Sequence, residues 1–287
     1  MKAKEYKSNF ITQLQSIYDV MEAESFFYLI LEDKHQMKRI DLALEPNYEF
    51  SEEAIKVWEE FVVQLKKEIP IQYLLGNTEF FGLPFIVNEN VLIPRPETEE
   101  LVDWIISEDK KAERQKSIKI LDIGTGSGCI AISLAKNILN ATVFAIDVSS
   151  KALEVAKLNA KQNDVSVTFL EKNILETDDL LEQFDIIVSN PPYIRNLEKQ
   201  EIKKNVLDNE PHLALFVDDF DALIFYRKIA VLATKNLNTN GKLFFEINQY
   251  LGQEMNDLLN QLGFTELELR KDIYGNDRMT KAVWIKK

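Results

Sequence analysis

The chain has 287 residues, of which 46% are hydrophobic, a length that suits one large domain or one domain with a smaller partner. Its 34 Lys and Arg residues stand against 47 Asp and Glu residues, and the resulting net charge of −13 argues against nucleic acid as the main partner. The same acidity fits either a solvated surface or docking to a basic protein.

Cysteine and histidine are scarce, which narrows the class of protein. Cys129 is the only cysteine, so an intrachain disulfide and a cysteine cluster for zinc are excluded. Two histidines, His35 and His212, are few for a metal site or a histidine-based catalytic triad, and we expect both in ordinary loop or surface positions. The N-terminal sequence lacks the apolar core of a signal peptide, and no run approaches the ~20 apolar residues of a membrane span. We therefore expect a cytoplasmic protein without membrane contact or bound metal.

Residues 1–75 show the spacing of amphipathic helices and predict a small helical domain. Ser51 is typical of a helix start, and the Glu-Pro-Asn sequence at 45–47 is typical of a stop between two helices. The apolar residues predicted on the two buried faces are Phe10, Leu14, Ile17, Tyr18 and Met21, and then Ala54, Val57, Trp58, Phe61, Val62 and Leu65.

A short β-hairpin is predicted next. The apolar stretches 79–81 and 83–87 flank Gly82, which is the pattern of two strands around a tight turn. Residues 76–92 are accordingly interpreted as a hairpin linker between two domains.

The second domain is predicted to span residues 93–287. It opens with the proline-containing segment 93–98, which leads into a helix whose apolar stripe consists of Leu101, Trp104 and Ile105. The charged segment 108–117 is then expected to form an exposed connection.

From residue 118 onward, apolar runs alternate with helical spacing. This alternation predicts an α/β fold with a doubly wound, mostly parallel sheet of seven strands. The gap before the last strand is too short for a parallel crossover, which needs about a dozen residues, so the chain should end in an antiparallel hairpin. The predicted strands are 118–123, 141–147, 165–170, 184–189, 242–247, 265–270 and 280–285, and the predicted helices are 127–137, 150–162, 222–237 and 252–262.

A glycine-rich turn, DIGTGSG at 122–128, connects the first strand of this sheet to the following helix. Glycines there permit positive φ and let a ligand approach the backbone closely. Cys129 stands where the dinucleotide pattern G-x-G-x-x-G requires its third glycine, and no Gly-Lys-Ser/Thr of a Walker A motif follows.

Asp147 ends the second strand of the sheet, at the position from which an acidic side chain can accept both hydroxyls of a ribose. Together with the glycine turn it predicts a nucleoside-type ligand. Alternatively, Asp147 only places a favourable negative charge at the start of the next helix. Asp122 is expected to face the amino acid end of the ligand, and the alternative is that it only caps the turn.

The tetrapeptide Asn190-Pro191-Pro192-Tyr193 follows the apolar strand 184–188, at the strand end where open α/β sheets place their active sites. Asn190 brings a carbonyl acceptor on a short stem, and the two prolines are stiff and have no N–H, so their carbonyl oxygens are available as acceptors. Such acceptors suit a planar –NH2 group, with Tyr193 as a flat wall beside it. An ordinary Asn-Pro turn is the alternative.

The chain resembles the class I S-adenosylmethionine-dependent methyltransferases in its glycine turn, its acidic strand end and its terminal antiparallel hairpin. Within that class it is similar to the HemK/PrmC family, the protein-glutamine N5-methyltransferases that act on peptide-chain release factors. The resemblance covers nearly the whole chain. The residues that carry it are Gln72-Tyr73, Gly76, Phe80, the run Leu92–Glu99, the glycine turn, Asn190–Ile194 and Glu210-Pro211.

The resemblance implies a role for individual residues. The cofactor S-adenosyl-L-methionine would lie on the glycine turn, with Asp147 at its ribose, Asn173 and Ile174 near its adenine, and Asn190 at its border with the substrate. The substrate amide would be held by the tetrapeptide, and Arg95 would form part of the cavity wall unless it only pairs with Glu97 or Glu99. The implied cofactor residues are Asp122, Gly124, Thr125, Gly126, Ser127, Gly128, Asp147, Asn173, Ile174 and Asn190, and the implied catalytic and substrate residues are Asn190, Pro191, Pro192, Tyr193 and Arg95.

Three positions depart from the family pattern. Asn173-Ile174 replaces an Asp followed by a large aromatic residue, which weakens the adenine assignment, and the segment 217–222 replaces a glycine-rich stretch. Asn248 stands where a Gly commonly follows the Glu-Ile pair, which leaves the local turn open.

Related activities remain as alternatives at this point. A sister family methylates a glutamine of a ribosomal protein with the same kind of loop. An adenine methyltransferase for DNA would need a basic surface, which the net charge opposes. A scaffold that binds the cofactor without catalysis is the third alternative.

The resemblance also implies that the helical domain 1–75 holds the protein substrate, and we expect a monomer with no direct nucleic-acid partner.

Overall fold

The computed structural model describes residues 1–111 and 117–286, which divide into two compact units. The helical unit contains Met1–Gly76 together with Lys203–Asn209, and the sheet unit contains Asn77–Ile202 together with Glu210–Lys287. The sequence did not predict that the short segment Lys203–Asn209 would group with the helical unit.

The elements of the described residues are as follows. The helices are α1 (Ala3–Leu14), α2 (Val20–His35), α3 (Arg39–Leu44), α4 (Glu52–Leu65), α5 (Ile71–Leu75), α6 (Pro96–Lys111), α7 (Cys129–Asn137), α8 (Ser150–Gln162), α9 (Lys204–Asn209), α10 (His212–Leu215), α11 (Ile224–Asn236) and α12 (Gly252–Gln261). The strands are β1 (Asn77–Phe80), β2 (Leu83–Ile86), β3 (Ile118–Ile123), β4 (Ala141–Asp147), β5 (Val167–Glu171), β6 (Phe184–Ser189), β7 (Ile194–Arg195), β8 (Phe216–Val217), β9 (Leu237–Glu246), β10 (Thr265–Lys271) and β11 (Asp277–Trp284).

The helical unit folds around an aromatic core. Ser51 begins α4 as predicted, because its hydroxyl accepts the Ala54 N–H at 3.1 Å. Trp58 stacks on Phe27 with ring centroids 4.8 Å apart, and both side chains are fully buried.

Two residues predicted on the first buried face are exposed instead. Ile17 is 39% exposed and Met21 is 74% exposed, and on the second face Val57 is 39% exposed. The prediction assumed one continuous helical spacing, but α1 ends at Leu14 and Asp19 caps a new helix by accepting the Glu22 N–H at 2.8 Å. The helical phase is therefore broken between the two helices.

His35 is half-buried and packs against this aromatic core, so it is not in an ordinary loop or surface position. Its Nε2 accepts the Trp58 Nε1–H at 3.0 Å, and its ring lies 4.7 Å from that of Phe50. The Trp58 contact requires an unprotonated Nε2. Burial lowers the pKa of His35 below its ordinary value.

Acidification is therefore expected to destabilise the protein through His35. Because the folded pKa is the lower one, the stabilisation by the neutral ring is complete above the unfolded pKa of about 6.5 and is lost as the pH falls below it. Urea unfolding at about pH 7.5 and about pH 5.5 should show a larger loss of free energy of unfolding for wild type than for His35→Gln. An equal loss in both proteins would show that His35 does not contribute.

The predicted hairpin is present as β1 and β2, which pair antiparallel around Gly82 at φ +70°. It is bound to α8 of the sheet unit: the Asn159 side chain accepts the Ile86 N–H at 2.7 Å and donates to the Ile86 carbonyl at 3.0 Å. The hairpin thus belongs structurally to the sheet unit.

The predicted doubly wound sheet of seven strands is confirmed. Its strand order is β10-β11-β9-β6-β3-β4-β5, in which β9, β6, β3, β4 and β5 run parallel and β11 is antiparallel to both of its neighbours. The chain winds from β3 outward to β5 and then returns to place β6 on the other side of β3. A topological switch point therefore lies at the carboxyl ends of β3 and β6, where such sheets bind ligands.

Helix α6 runs to Lys111, so the prediction of an exposed connection beginning at Glu108 is wrong for residues 108–111. Glu108 accepts hydrogen bonds from Lys242 at 2.7 Å and from Lys281 at 3.2 Å. Burial raises the pKa of Glu108, but the hydrogen bonds from the lysines outweigh it and lower the pKa to about 2. Residues 112–116 of the predicted connection lie outside the described residues.

Candidate active site

The predicted motifs meet at the switch point of the sheet. The glycine turn follows β3, Asp147 ends β4, and Asn190 follows β6. They border one cavity of about 280 Å³. Of the predicted residues, the cavity lining contains Arg95, Gly124, Thr125, Gly126, Ser127, Asp147, Asn173, Ile174, Asn190, Pro191 and Pro192. Asp122, Gly128 and Tyr193 lie outside this lining.

The glycine turn is tied to the neighbouring strand and opens toward the cavity. The N–H groups of Gly124 and Thr125 both donate to the Ile146 carbonyl, at 2.8 and 3.1 Å. Gly124 and Gly126 have φ of +75° and +55°, and a Cβ atom at either would meet only open space within 4 Å. The backbone at these positions is therefore accessible to a ligand at close range.

Gly128 has a different reason to be glycine. A Cβ atom there would lie 2.9 Å from Ile132 Cδ1 and 3.2 Å from Ala156 Cβ. The residue adopts φ +82° immediately before α7, so the helix begins at Cys129 and not at Ser127 as predicted. Gly128 thus permits close packing of α7 against α8.

Asp147 presents a fixed carboxylate at the cavity edge. Its Oδ2 accepts the Gly126 N–H at 2.8 Å, and its Oδ1 accepts the Ser149 N–H at 2.9 Å. Burial raises the pKa of Asp147, whereas these N–H groups favour its charged form. Each carboxylate oxygen keeps a further lone pair with which it can accept a hydroxyl of a ligand.

Asp122 is fully buried beneath the glycine turn. Its Oδ2 accepts the Thr125 hydroxyl at 2.6 Å. Burial raises the pKa of Asp122 to about 7, although the Thr125 hydroxyl and the Ala131 N–H favour the charged form. This position favours the alternative that Asp122 braces the turn over direct contact with the amino acid end of a ligand.

Asn173 and Ile174 also line the cavity. The Asn173 side chain accepts the Leu175 N–H at 3.1 Å and so caps the short 3₁₀ turn Ile174–Glu176. Ile174 is buried and presents an apolar surface. An apolar surface suits a base ring, and a role near adenine stays a prediction for these two residues.

The Asn190-Pro191-Pro192 loop is anchored from behind. Ser189 Oγ donates to the Ile123 carbonyl at 2.7 Å, which joins the carboxyl ends of β6 and β3. Asn190 Nδ2 donates to Thr98 Oγ1 at 3.3 Å. No described residue donates to Asn190 Oδ1 or to the Pro191 carbonyl, so both oxygens remain available as acceptors.

Tyr193 occupies a position behind the loop and not in the cavity wall. Its hydroxyl donates to Glu246 Oε1 at 3.1 Å, and its ring packs against the core beneath the sheet. Burial, together with the negative charge of Glu246, raises the pKa of Tyr193, which keeps the phenol protonated. The structure therefore gives Tyr193 an anchoring position.

Asn248 settles the turn that the family comparison left open. Its Nδ2 donates to the Tyr193 carbonyl at 3.1 Å and to Glu198 Oε2 at 2.9 Å, while its Oδ1 accepts the Tyr250 N–H at 3.0 Å. An asparagine at this position therefore ties β9 to the loop that follows β6.

Arg95 lines the cavity and pairs with Glu210, not with Glu97 or Glu99 as the alternative proposed. Its Nη2 lies 2.5 Å from Glu210 Oε1, and Glu210 Oε2 accepts the Ile93 N–H at 3.2 Å. Glu99 instead accepts the Phe81 N–H at 2.9 Å. The buried Glu210 thus holds the segment that carries Arg95.

Sequence reasoning assigned no role to three buried polar residues of this site, Thr98, Glu210 and Glu246. Each is bonded to a residue more than 90 positions away in sequence. Thr98 and Glu210 lie in segments that carry the family resemblance, but nothing in the sequence pairs these residues with their partners, so only the fold reveals their contacts.

Within the described ranges, no helix is long and apolar enough to cross a membrane.

Comparison with known proteins places the chain in a family. Residues 107–214 match the methyltransferase small domain, and residues 8–76 match the PrmC N-terminal domain. The fold of this chain is similar to those of two solved proteins, and at their low sequence identity this similarity supports the fold alone. A Pyrococcus furiosus methyltransferase is 20% identical with a TM-score of 0.51, covering 77% of this chain and 97% of that one. A human methyltransferase 10 domain containing protein is 18% identical with a TM-score of 0.52, covering 72% and 91%.

Two curated relatives extend over nearly the full length. The release factor glutamine methyltransferase of Flavobacterium psychrophilum is 63% identical over 282 residues, which are 98% of this chain and 99% of that protein. The release factor glutamine methyltransferase of Bacteroides thetaiotaomicron is 44% identical over 270 residues, or 94% of this chain and 95% of that protein. Such identity over the whole length shows common descent, and the chain belongs to the release factor glutamine methyltransferase family.

Proposed function

We propose that the chain transfers the methyl group of S-adenosylmethionine to the side-chain amide nitrogen, N5, of the glutamine in the Gly-Gly-Gln motif of peptide-chain release factors. One observation carries the chemistry. Asn190 and Pro191 line the same cavity as the glycine turn and Asp147, and no described residue donates a hydrogen bond to Asn190 Oδ1 or to the Pro191 carbonyl. The full-length relatives named for this activity support the choice of substrate.

The residues of the cavity fit S-adenosylmethionine. The open backbone at Gly124 and Gly126 would lie against its amino acid portion, and the fixed Asp147 carboxylate would accept its ribose hydroxyls. The apolar side chain of Ile174 would border its adenine. When bound, the cofactor supplies an electrophilic methyl group on a sulfonium centre.

The protein's contribution to transfer is to hold the nucleophile. An amide nitrogen is a poor nucleophile because its lone pair is delocalised into the carbonyl. Asn190 Oδ1 and the Pro191 carbonyl would each accept one N–H of the glutamine, which fixes the nitrogen in line with the methyl group. The same oxygens would stabilise the positive charge that develops on the nitrogen during transfer. S-adenosylhomocysteine would leave as the thioether product, and the methylated nitrogen would lose one N–H proton to solvent.

The remaining assignments concern partners and location. We assign the helical unit to holding the release factor, since residues 8–76 match a domain named for this family. A net charge of −13 supports a protein substrate over direct contact with nucleic acid. A monomer acting in the cytoplasm completes the proposal.

One transfer assay tests the substrate and the atom together. The chain is incubated with labelled S-adenosylmethionine and, in separate reactions, a release factor, a glutamine-containing ribosomal protein and DNA. Label should enter the release factor and should be lost when its Gly-Gly-Gln glutamine is replaced by glutamate. Label that persists in that replacement, or that enters only the ribosomal protein or DNA, would contradict the proposal.

A further inference from the structure

Two buried side chains, Thr98 on α6 and Glu246 at the end of β9, connect Asn190 to the interior. Asn190 Nδ2 lies 3.3 Å from Thr98 Oγ1, and Thr98 Oγ1 lies 2.6 Å from Glu246 Oε2. Thr98 is 3% exposed and Glu246 is 2% exposed. The three residues form a continuous chain of hydrogen bonds that ends at the cavity.

The direction of the hydrogen bonds in this chain is fixed by the number of hydrogens. Both Glu246 oxygens accept, Oε2 from the Thr98 hydroxyl and Oε1 from the Tyr193 hydroxyl, and a hydroxyl carries a single hydrogen. Thr98 must therefore donate to Glu246, and it can only accept from Asn190. The –NH2 group of Asn190 consequently faces Thr98, and its carbonyl oxygen is turned toward the cavity. A rotated amide would set Oδ1 against a hydroxyl oxygen that has no hydrogen left to donate.

Glu246 is itself fixed from its other side. Its Oε1 accepts the Tyr193 hydroxyl at 3.1 Å, and its backbone carbonyl accepts the Tyr226 hydroxyl at 3.2 Å. Burial raises the pKa of Glu246, while the Thr98 hydroxyl and the positive charge of Arg278 favour the carboxylate. Both carboxylate oxygens thus accept a hydrogen bond from a buried hydroxyl, which fixes the carboxylate from both sides.

We propose that Thr98 and Glu246 are positioning residues that set the orientation of the Asn190 amide, so that Oδ1 and not Nδ2 meets the substrate nitrogen. The inference rests on the proposed function, because it concerns the acceptor which that function assigns to Asn190. Neither residue touches the reacting atoms, and both act through Asn190.

Glu246→Gln is the decisive variant because it keeps the size of the side chain and adds a donor. With Oε1 accepting from Tyr193, the new –NH2 group donates to Thr98, and Thr98 must then donate to Asn190 Oδ1. All hydrogen bonds are kept, but the Asn190 amide is inverted and presents –NH2 to the –NH2 of the substrate. The opposite placement of the glutamine would leave the buried Tyr193 hydroxyl hydrogen without a partner.

Glu246→Gln is therefore expected to lower kcat for release factor methylation at least about tenfold, with S-adenosylmethionine affinity unchanged. A merely structural role would leave kcat near that of wild type, since every bond can form. Thr98→Ser keeps the hydroxyl and should retain kcat within about twofold, whereas the isosteric Thr98→Val should lose activity.

A double variant separates positioning from a direct effect of the Glu246 charge. Glu246→Gln should slow Asn190→Ala no further, because the effect passes through the Asn190 amide. An additional loss in the double variant, or full activity of Glu246→Gln, would overturn the inference.

The orientation of the Asn190 amide can also be tested by a spectroscopic measurement that does not depend on enzymatic activity. Hydrogen exchange of the Asn190 side-chain –NH2, assigned by its absence in Asn190→Ala, should be slower in wild type than in Glu246→Gln, where the group faces the cavity. Equal exchange rates would overturn the inference. A wild-type chain that shows the slow exchange but methylates no release factor would instead contradict the proposed function.

Discussion

Asn190→Ala is expected to lower kcat for release factor methylation by a factor of about 100 or more, which corresponds to ~2.7 kcal/mol of transition-state stabilisation. The variant removes one of the two oxygens that orient the glutamine nitrogen and stabilise its developing charge. It leaves the glycine turn and Asp147 intact, so the affinity for S-adenosylmethionine should change little. Single-turnover transfer of label and titration calorimetry measure the two quantities separately.

Asn196→Ala provides a matched control for that variant. Asn196 lies in the same segment after β6, but its side chain is exposed and donates to the Val217 carbonyl at 3.1 Å, outside the cavity lining. It should retain wild-type kcat. A wild-type kcat in Asn190→Ala itself would remove Asn190 from the chemistry.

Asp147→Ala should produce the opposite pattern, with a large loss of cofactor affinity. The carboxylate would accept the ribose hydroxyls, and hydrogen bonds to a charged group are worth about 1.5–3 kcal/mol each. Its removal also frees the Gly126 N–H from its anchor. The Kd for S-adenosylmethionine should rise by at least about tenfold in titration calorimetry.

Glu171→Ala is the control for loss of a carboxylate at this edge of the sheet. Glu171 ends β5 directly beside Asp147 in the strand register, but it is exposed and lies outside the cavity lining. Its Kd should stay close to that of wild type. If Asp147→Ala binds the cofactor as tightly as Glu171→Ala does, Asp147 is not a cofactor residue.

The sheet could be predicted because its signals are local. Apolar runs such as 184–188 and the short gap before the last strand specify strand positions and the direction of the final strand without reference to distant residues. Boundaries were less accurate where packing decides them. Strand β9 begins at Leu237, five residues before the predicted start, because Leu237 pairs with Phe184 of β6 ahead of a register shift, after which Lys242 pairs with Ile186.

The candidate site could be predicted in part for the same reason. The glycine turn, Asp147 and Asn190 each follow a strand, and parallel strands bring their carboxyl ends to one edge. The supporting contacts could not be predicted, because Thr98 and Glu246 are 148 residues apart in sequence and meet only in the fold. Tyr193 shows the same limit, since its sequence neighbours suggested a cavity wall while Glu246 draws its hydroxyl away.

The supporting contacts also explain why the loop can be stiff. The prolines restrict the backbone of the loop itself. The Asn190 side chain depends on Thr98, and the Tyr193 side chain depends on Glu246, so a single buried carboxylate braces both ends of the tetrapeptide. Such preorganisation is what alignment of a weak nucleophile requires.

The most direct test of the account is a crystal structure of the chain with S-adenosylhomocysteine and a release factor carrying its Gly-Gly-Gln motif. The account predicts that Asn190 Oδ1 and the Pro191 carbonyl oxygen both lie about 2.7–3.2 Å from the same glutamine side-chain nitrogen, which points at the cofactor sulfur. A glutamine nitrogen bound away from these two oxygens, or on the far side of the cavity from the sulfur, would contradict it.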